Sequence, residues 1–187
     1  MDLSPDAALV VIDVQQGFDD AAFWGRRDNP DAERNVGALV DAWRRTGRPV
    51  VVVQHASRTS PPLFPDAPGY ALKPVVADVE PALHVTKSVN SAFYGEPDLH
   101  AWLAGAGIGQ LVLCGIQTNM CVETTARMAG NLGYDVLLPI DAAHTFDLAG
   151  PDGAVLSAEE LTRATATSLH GGGFARVVRT AEVVAAA

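Results

Sequence analysis

The chain has 187 residues, 48% hydrophobic and 19% charged. That is enough apolar material for one packed domain over residues 1–187, at roughly 100–200 residues per domain, and it is far from a disordered composition. Acidic residues outnumber basic ones 22 to 13, a formal charge of −9, which argues against nucleic acid or an anionic membrane as partner because both are held by clustered Lys and Arg. No apolar run approaches the ~18–20 residues that span a bilayer. The acidic start, Met1-Asp2-Leu3-Ser4-Pro5-Asp6, is unlike a basic signal peptide, so a cytoplasmic location is expected. The two cysteines, Cys114 and Cys121, suggest no disulfide framework, and no Cys-x-x-Cys or His-x-x-x-His pair points to zinc.

Ala8 to Ile12 is a continuous apolar run ending at Asp13, the pattern of a strand buried on both faces of a parallel sheet. A loop follows, carrying Phe18, Phe23 and Trp24. From Asp31 to Arg45, Ala32, Val36, Leu39, Val40 and Trp43 recur at helical spacing, with Gly47 placed as a C-terminal cap. Val50–Val53 predicts a second buried strand, ending at Gln54 and His55. Residues 57–74 hold five prolines, too many for regular structure, and read as a lid, a binding loop or a partner surface.

Leu83–Thr86 predicts a third strand leading into Lys87. A helix follows, marked by Leu99, Trp102, Leu103 and Ala106. Leu111–Cys114 predicts a fourth strand, and residues 119–132 a helix that Cys121 opens. Val136–Ile140 is a fifth strand stopping at Asp141. Ser157-Ala-Glu-Glu160 has the form of a capping box, and Phe174–Val178 is a sixth strand. Strands alternating with helices predict an α/β fold, a six-stranded parallel sheet in a three-layer α-β-α sandwich. Asp13, His55, Lys87, the stretch from Cys114 to Cys121 and Asp141 all fall at carboxyl ends of strands, the edge where open α/β sheets bind ligands.

Cys121 is the candidate nucleophile. A thiol at a helix N-terminus faces the positive end of the dipole, which draws its pKa below ~8.5, and the free N–H groups there suit an oxyanion. Asp13 can take the thiol proton and return it to a leaving amine, and Lys87 beside them stabilises both charged forms. Cys114, inside a strand, reads as inert packing. Phe18, Phe23, Trp24, His55 and Phe93 are the candidate pocket residues, the aromatic rings suited to a flat or apolar substrate.

Three motifs together carry a resemblance: Val11-Ile12-Asp13-Val14-Gln15, Lys87-Ser88-Val89-Asn90-Ser91-Ala92-Phe93, and Gly115-Ile116-Gln117-Thr118-Asn119-Met120-Cys121-Val122-Glu123-Thr124-Thr125-Ala126. They are similar to those of the isochorismatase-like cysteine hydrolases, which include nicotinamidases and carbamoylsarcosine amidohydrolase, over about residues 7 to 180. The resemblance implies a catalytic triad of Asp13, Lys87 and Cys121 and a cis peptide between Ile116 and Gln117. It also implies an oxyanion hole from the N–H groups of Gln117 and Cys121. The activity implied is hydrolysis of a small non-peptide amide, lactam or ureido compound through a thioester, with no cofactor. A homodimer or homotetramer is the implied assembly. Nicotinamidases carry a metal bound around an Asp-x-His motif, and here that place reads Gln54-His55-Ala56-Ser57-Arg58, so no metal site is expected. The competing readings are an isochorismatase-type enol-ether hydrolase, which would not need Cys121, and a non-catalytic binding protein on the same fold.

Overall fold

The computed structural model describes residues 2–187. Its centre is a parallel sheet of six principal strands: β1 (Ala8–Ile12), β2 (Val50–His55), β3 (Leu83–Lys87), β4 (Gln110–Ile116), β5 (Asp135–Pro139) and, last in the chain, Arg176–Val178. Between the last two come the two-residue β6 (Ala143–His144) and the small antiparallel pair β7 (Leu148–Ala149) and β8 (Val155–Leu156), so the final strand is β9. The spatial order is β3-β2-β1-β4-β5-β9, with β6 extending the sheet beside the end of β4. The connections run outward in opposite directions from β1 and β4, and a crevice opens at the carboxyl ends of that pair.

Two one-turn helices, α1 (Ala21–Trp24) and α3 (Pro74–Ala77), lie in the connections, and alternation along the central strands divides the core. Ala8, Val10 and Ile12 of β1, with Leu111 and Leu113 of β4, face α4 (Leu99–Gly105) and α5 (Glu123–Asn131), joined by Leu169 of α6 (Ala158–Gly171). Leu9, Val11, Val112 and Cys114 face the other way, onto α2 (Ala32–Thr46) and α7 (Thr180–Ala186), with Trp43 at the centre of that layer. Two-residue periodicity thus puts every second side chain in each layer, and both faces are dry because helices cover both. The Trp43 indole N–H donates to Ala7 O at 2.9 Å, which ties α2 to the start of β1.

The six expected strands and the three-layer arrangement are present. The details differ at three places. The last strand begins at Arg176 rather than Phe174, because Phe174 N donates back to Leu169 O and closes the end of α6. The helix after β4 opens with a π-helical turn, Thr118–Val122, before α5. Residues 57–74 carry two 3-10 turns, Pro61–Leu63 and Pro68–Tyr70, and their first part walls a cavity over Cys121. Pro62 packs so closely on Gly17 that a Cβ there would lie 2.3 Å from its carbonyl oxygen.

Candidate active site

Asp13 is the first residue beyond β1. It holds a left-handed φ of 53°, a conformation that Asp adopts more readily than most residues. Its N–H donates to Val53 O at 2.9 Å, so the turn that aims its carboxylate is anchored on the neighbouring strand. Lys87 ends β3, in register with His55 at the end of β2. Cys121 lies in the π-helical turn, where Val122 N reaches back to Gln117 O at 3.1 Å. π turns of this kind recur at functional sites because they re-aim a side chain within a helix. The Ile116–Gln117 peptide is cis. The parallel register of β2 with β1, and of β1 with β4, brings these strand ends together.

The lysine ammonium is the hub. Lys87 Nζ donates to Asp13 Oδ2 at 2.6 Å and to Cys121 Sγ at 3.4 Å, and it stands 3.0 Å from His55 Nδ1. The Asp13 oxygen, the Cys121 sulfur and the His55 ring nitrogen thus surround a fully buried ammonium. Burial works against its charge, but Asp13 and then Cys121 outweigh that and raise its pKa. His55 is pulled the opposite way, lowered first by burial and then by the Lys87 charge, with Asp13 opposing. It is therefore a neutral imidazole at pH 7. Asp13 Oδ1 is buried and has no hydrogen-bond partner among the described residues.

The thiol departs from the sequence expectation. Burial pushes the Cys121 pKa well up, the Asp13 carboxylate pushes it further, and Lys87 only partly offsets them. A helix N-terminus lowers a thiol pKa when the sulfur is free to meet solvent and dipole. Here Cys121 is buried, only 7% exposed, and its sulfur shares its cation with a carboxylate. The resting site is therefore a neutral thiol beside a Lys–Asp ion pair. Cys114 packs in the α2 layer with its own thiol raised by burial.

Asp13, His55 and Cys121 offer ligand atoms within 4.8 Å of one another, a spacing compatible with a metal ion. The Lys87 ammonium already converges on all three, so this set fits a cradle for that ammonium and does not fit a metal. At the place of the nicotinamidase-type aspartate, Gln54 donates to Tyr70 O at 2.7 Å and meets His84 Nε2 at 3.0 Å. Those bonds fasten β2 to its neighbours.

A cavity of about 500 Å³ opens over Cys121, within the range of small-molecule sites. One wall is aromatic. Trp24 packs against Phe18, 4.9 Å away, and Phe146, 5.4 Å away, which stack on each other at 6.3 Å, and its indole N–H is held by Gly17 O at 2.8 Å. The polar part of the lining comes from Ser57, Ser60, Ser88 and Asn90. Phe18, Phe23, Trp24 and His55 line the cavity as expected from sequence.

Phe93 does not line it. Its ring stacks on Tyr134 at 5.9 Å within the α4–α5 core, because the 3-10 turn Ala92–Tyr94 rotates it away from the strand edge. Phe146 takes the role instead; its sequence signal was a lone aromatic shortly after the end of the fifth strand. Asp141 is also absent from the site: its carboxylate accepts from Thr180 N and Oγ1 at 2.8 Å and anchors the start of α7. Gln15 was present in the motif without an assigned role. It clamps the site by accepting from His55 N at 2.8 Å and donating to the carbonyls of His55 and Tyr70.

Comparison with known proteins agrees with this geometry. The Isochorismatase domain model matches residues 7–170. An isochorismatase family protein of Bacillus subtilis, YrdC, itself uncharacterized, is 35% identical over 95% of this chain and 94% of its own. Streptothricin hydrolase of Streptomyces noursei is 36% identical over 78% of this chain, which spans about half of that protein, 52%. A crystal structure of an isochorismatase-family protein from Chromobacterium violaceum superimposes with a TM-score of 0.92 at 36% identity, covering 100% of this chain and 96% of that one. The chain belongs to the isochorismatase family, with Asp13, Lys87 and Cys121 set as its triad.

Proposed function

We propose that the protein is a cysteine hydrolase that cleaves the C–N bond of a small non-peptide amide, lactam or ureido compound. The observation that carries this reading is the shared ammonium: Lys87 bonds both the Asp13 carboxylate and the Cys121 sulfur, while Asp13 Oδ1 is left without a partner. The free oxygen can receive a proton, and the ammonium stabilises whichever of the two groups is charged. Transfer from sulfur to Asp13 leaves the net charge of the site unchanged, so a buried site can support it without importing an ion.

The thiolate attacks the carbonyl carbon, and the oxyanion is held by the N–H groups of Gln117 and Cys121. The C–N bond breaks as Asp13 gives its proton to the departing nitrogen, leaving a thioester on Cys121. Asp13 then takes a proton from water, whose oxygen attacks the thioester. The sulfur leaves, regains its proton, and the acid is released. The aromatic wall suits a planar or apolar body, and the serine and asparagine lining suits its neutral polar groups. Retention of the cysteine supports C–N chemistry over enol-ether hydrolysis.

The test is an amide and lactam screen followed by mass spectrometry of the acid-quenched enzyme. Acyl mass on the Cys121 peptide, with turnover abolished in Cys121→Ala, is the expected result. Turnover that survives Cys121→Ala would transfer the protein to the cysteine-independent class.

A further inference from the structure

We infer that His55 is a positioning and substrate-binding residue: its Nδ1 accepts the third proton of Lys87, which leaves the proton of the neutral ring on Nε2 as a donor toward the substrate cavity. This rests on the hydrolase reading above and adds to it. The groups facing the ring are Lys87 at 3.0 Å, Asp13 at 4.0 Å and, through Lys87, the Cys121 sulfur. An ammonium has protons and no lone pair, so the nitrogen beside it must be the unprotonated one. A neutral imidazole then carries its single proton on the other nitrogen. His55 lines the cavity, and Gln15 holds its backbone from both sides, so the ring is presented by a fixed strand end rather than a loose loop.

Two consequences follow. The first concerns Lys87. With His55 holding one proton, the ammonium is fixed in a three-point geometry that keeps the other two on Asp13 and Cys121. Without that acceptor, one N–H of a buried ammonium would be orphaned. The second concerns the substrate, which should carry a hydrogen-bond acceptor, such as a second carbonyl or a ring nitrogen, near the scissile bond. Protonating His55 would place a cation 3.0 Å from another and end both roles.

The first test needs no substrate. Nitrogen-15 NMR of histidine-labelled full-length protein, which has five histidines, should show His55 neutral and protonated on Nε2 at pH 7. It should titrate below the ordinary histidine range and move upward in Lys87→Met. A ring protonated on Nδ1, or cationic at pH 7, would overturn the inference.

The second test uses a substrate from the screen. His55→Leu should lower kcat by about ten- to a hundredfold, the scale of one lost hydrogen bond to a charged group, and raise KM. His55→Asn keeps an uncharged acceptor and should restore part of kcat, with activity extending to more acidic pH than in wild type. Equal kcat and pH profiles for the two variants, both folded by thermal melt, would count against positioning. Failure of the hydrolase reading would show separately, as turnover that does not need Cys121.

Discussion

A buried lysine shared by a carboxylate and a thiol makes a specific claim about single residues. Because the Asp13 charge raises the Cys121 pKa and Lys87 lowers it, neutralising each should move the thiol in opposite directions. Asp13→Asn should shift the pH profile of Cys121 alkylation by iodoacetamide to lower pH while abolishing hydrolysis. Lys87→Met should shift it to higher pH. Peptide mapping distinguishes Cys121 from the inert Cys114. Parallel shifts in the two variants would contradict the shared-ammonium geometry. The dissociation of thiol reactivity from turnover in Asp13→Asn is the informative result, since it separates forming a thiolate from using it. The sequence placed these three residues at or beyond strand ends, and the structure brings them together there. It misjudged the thiol pKa, because burial and the second charge depend on neighbours far along the chain.

Among the elements, the β1–β4 pair positions the site, and Gly115 is what lets the strands meet there. It holds φ at 125°, and a Cβ on it would stand 1.9 Å from Ile12 O. No rotamer relieves a clash with backbone. Gly115→Ala should cost at least about 3 kcal/mol, combining a forbidden backbone region with forced separation of the strands. Denaturant midpoints measure this, and a loss below about 1 kcal/mol would show that the strand pair can yield. The glycine stood in the sequence motif, but its partner, Ile12, is defined only by strand register. The π-helical turn after β4 was likewise hidden. Its residues, Thr118 to Val122, have no propensity that separates them from an ordinary first helical turn, and the turn follows from how the β4 end must deliver Cys121 to the crevice.

At the scale of the whole molecule, acid stability should be limited by His144. It is fully buried on β6, beside the Arg27–Glu33–Lys73 ion-pair network that links α2 to residues 57–74. Neither ring nitrogen has a hydrogen-bond partner among the described residues. Burial first, and then the Arg27 charge, lower its pKa from 6.5 to about 3, with Glu33 opposing. The folded state therefore binds fewer protons than the unfolded one below pH 6.5, and stability falls as pH drops from 6.5 toward 3. At about 1.4 kcal/mol per pKa unit, the loss amounts to several kcal/mol at most. His144→Leu should be close to wild type in thermal midpoint at pH 7 and less sensitive to acid below pH 6. Equal slopes would show that the ring titrates freely; the residual slope in the variant comes from His55, lowered by burial, and from Glu33, which burial raises but Arg27 and Lys73 hold low.

Apolar runs alternating with amphipathic helical segments by themselves pointed to the parallel sheet, since a strand can be apolar at every position when helices cover both its faces. The strand ends by themselves determined that Asp13, Lys87 and Cys121 share one edge, because parallel strands deliver all their carboxyl ends to the same side. Tertiary structure decided the rest. It chose Phe146 over Phe93 for the aromatic wall, made Asp141 an anchor for α7, set His55 against Lys87, and left the thiol neutral. Each of these depends on distances of a few ångströms between segments 30 to 130 residues apart, set by register and burial rather than by local sequence.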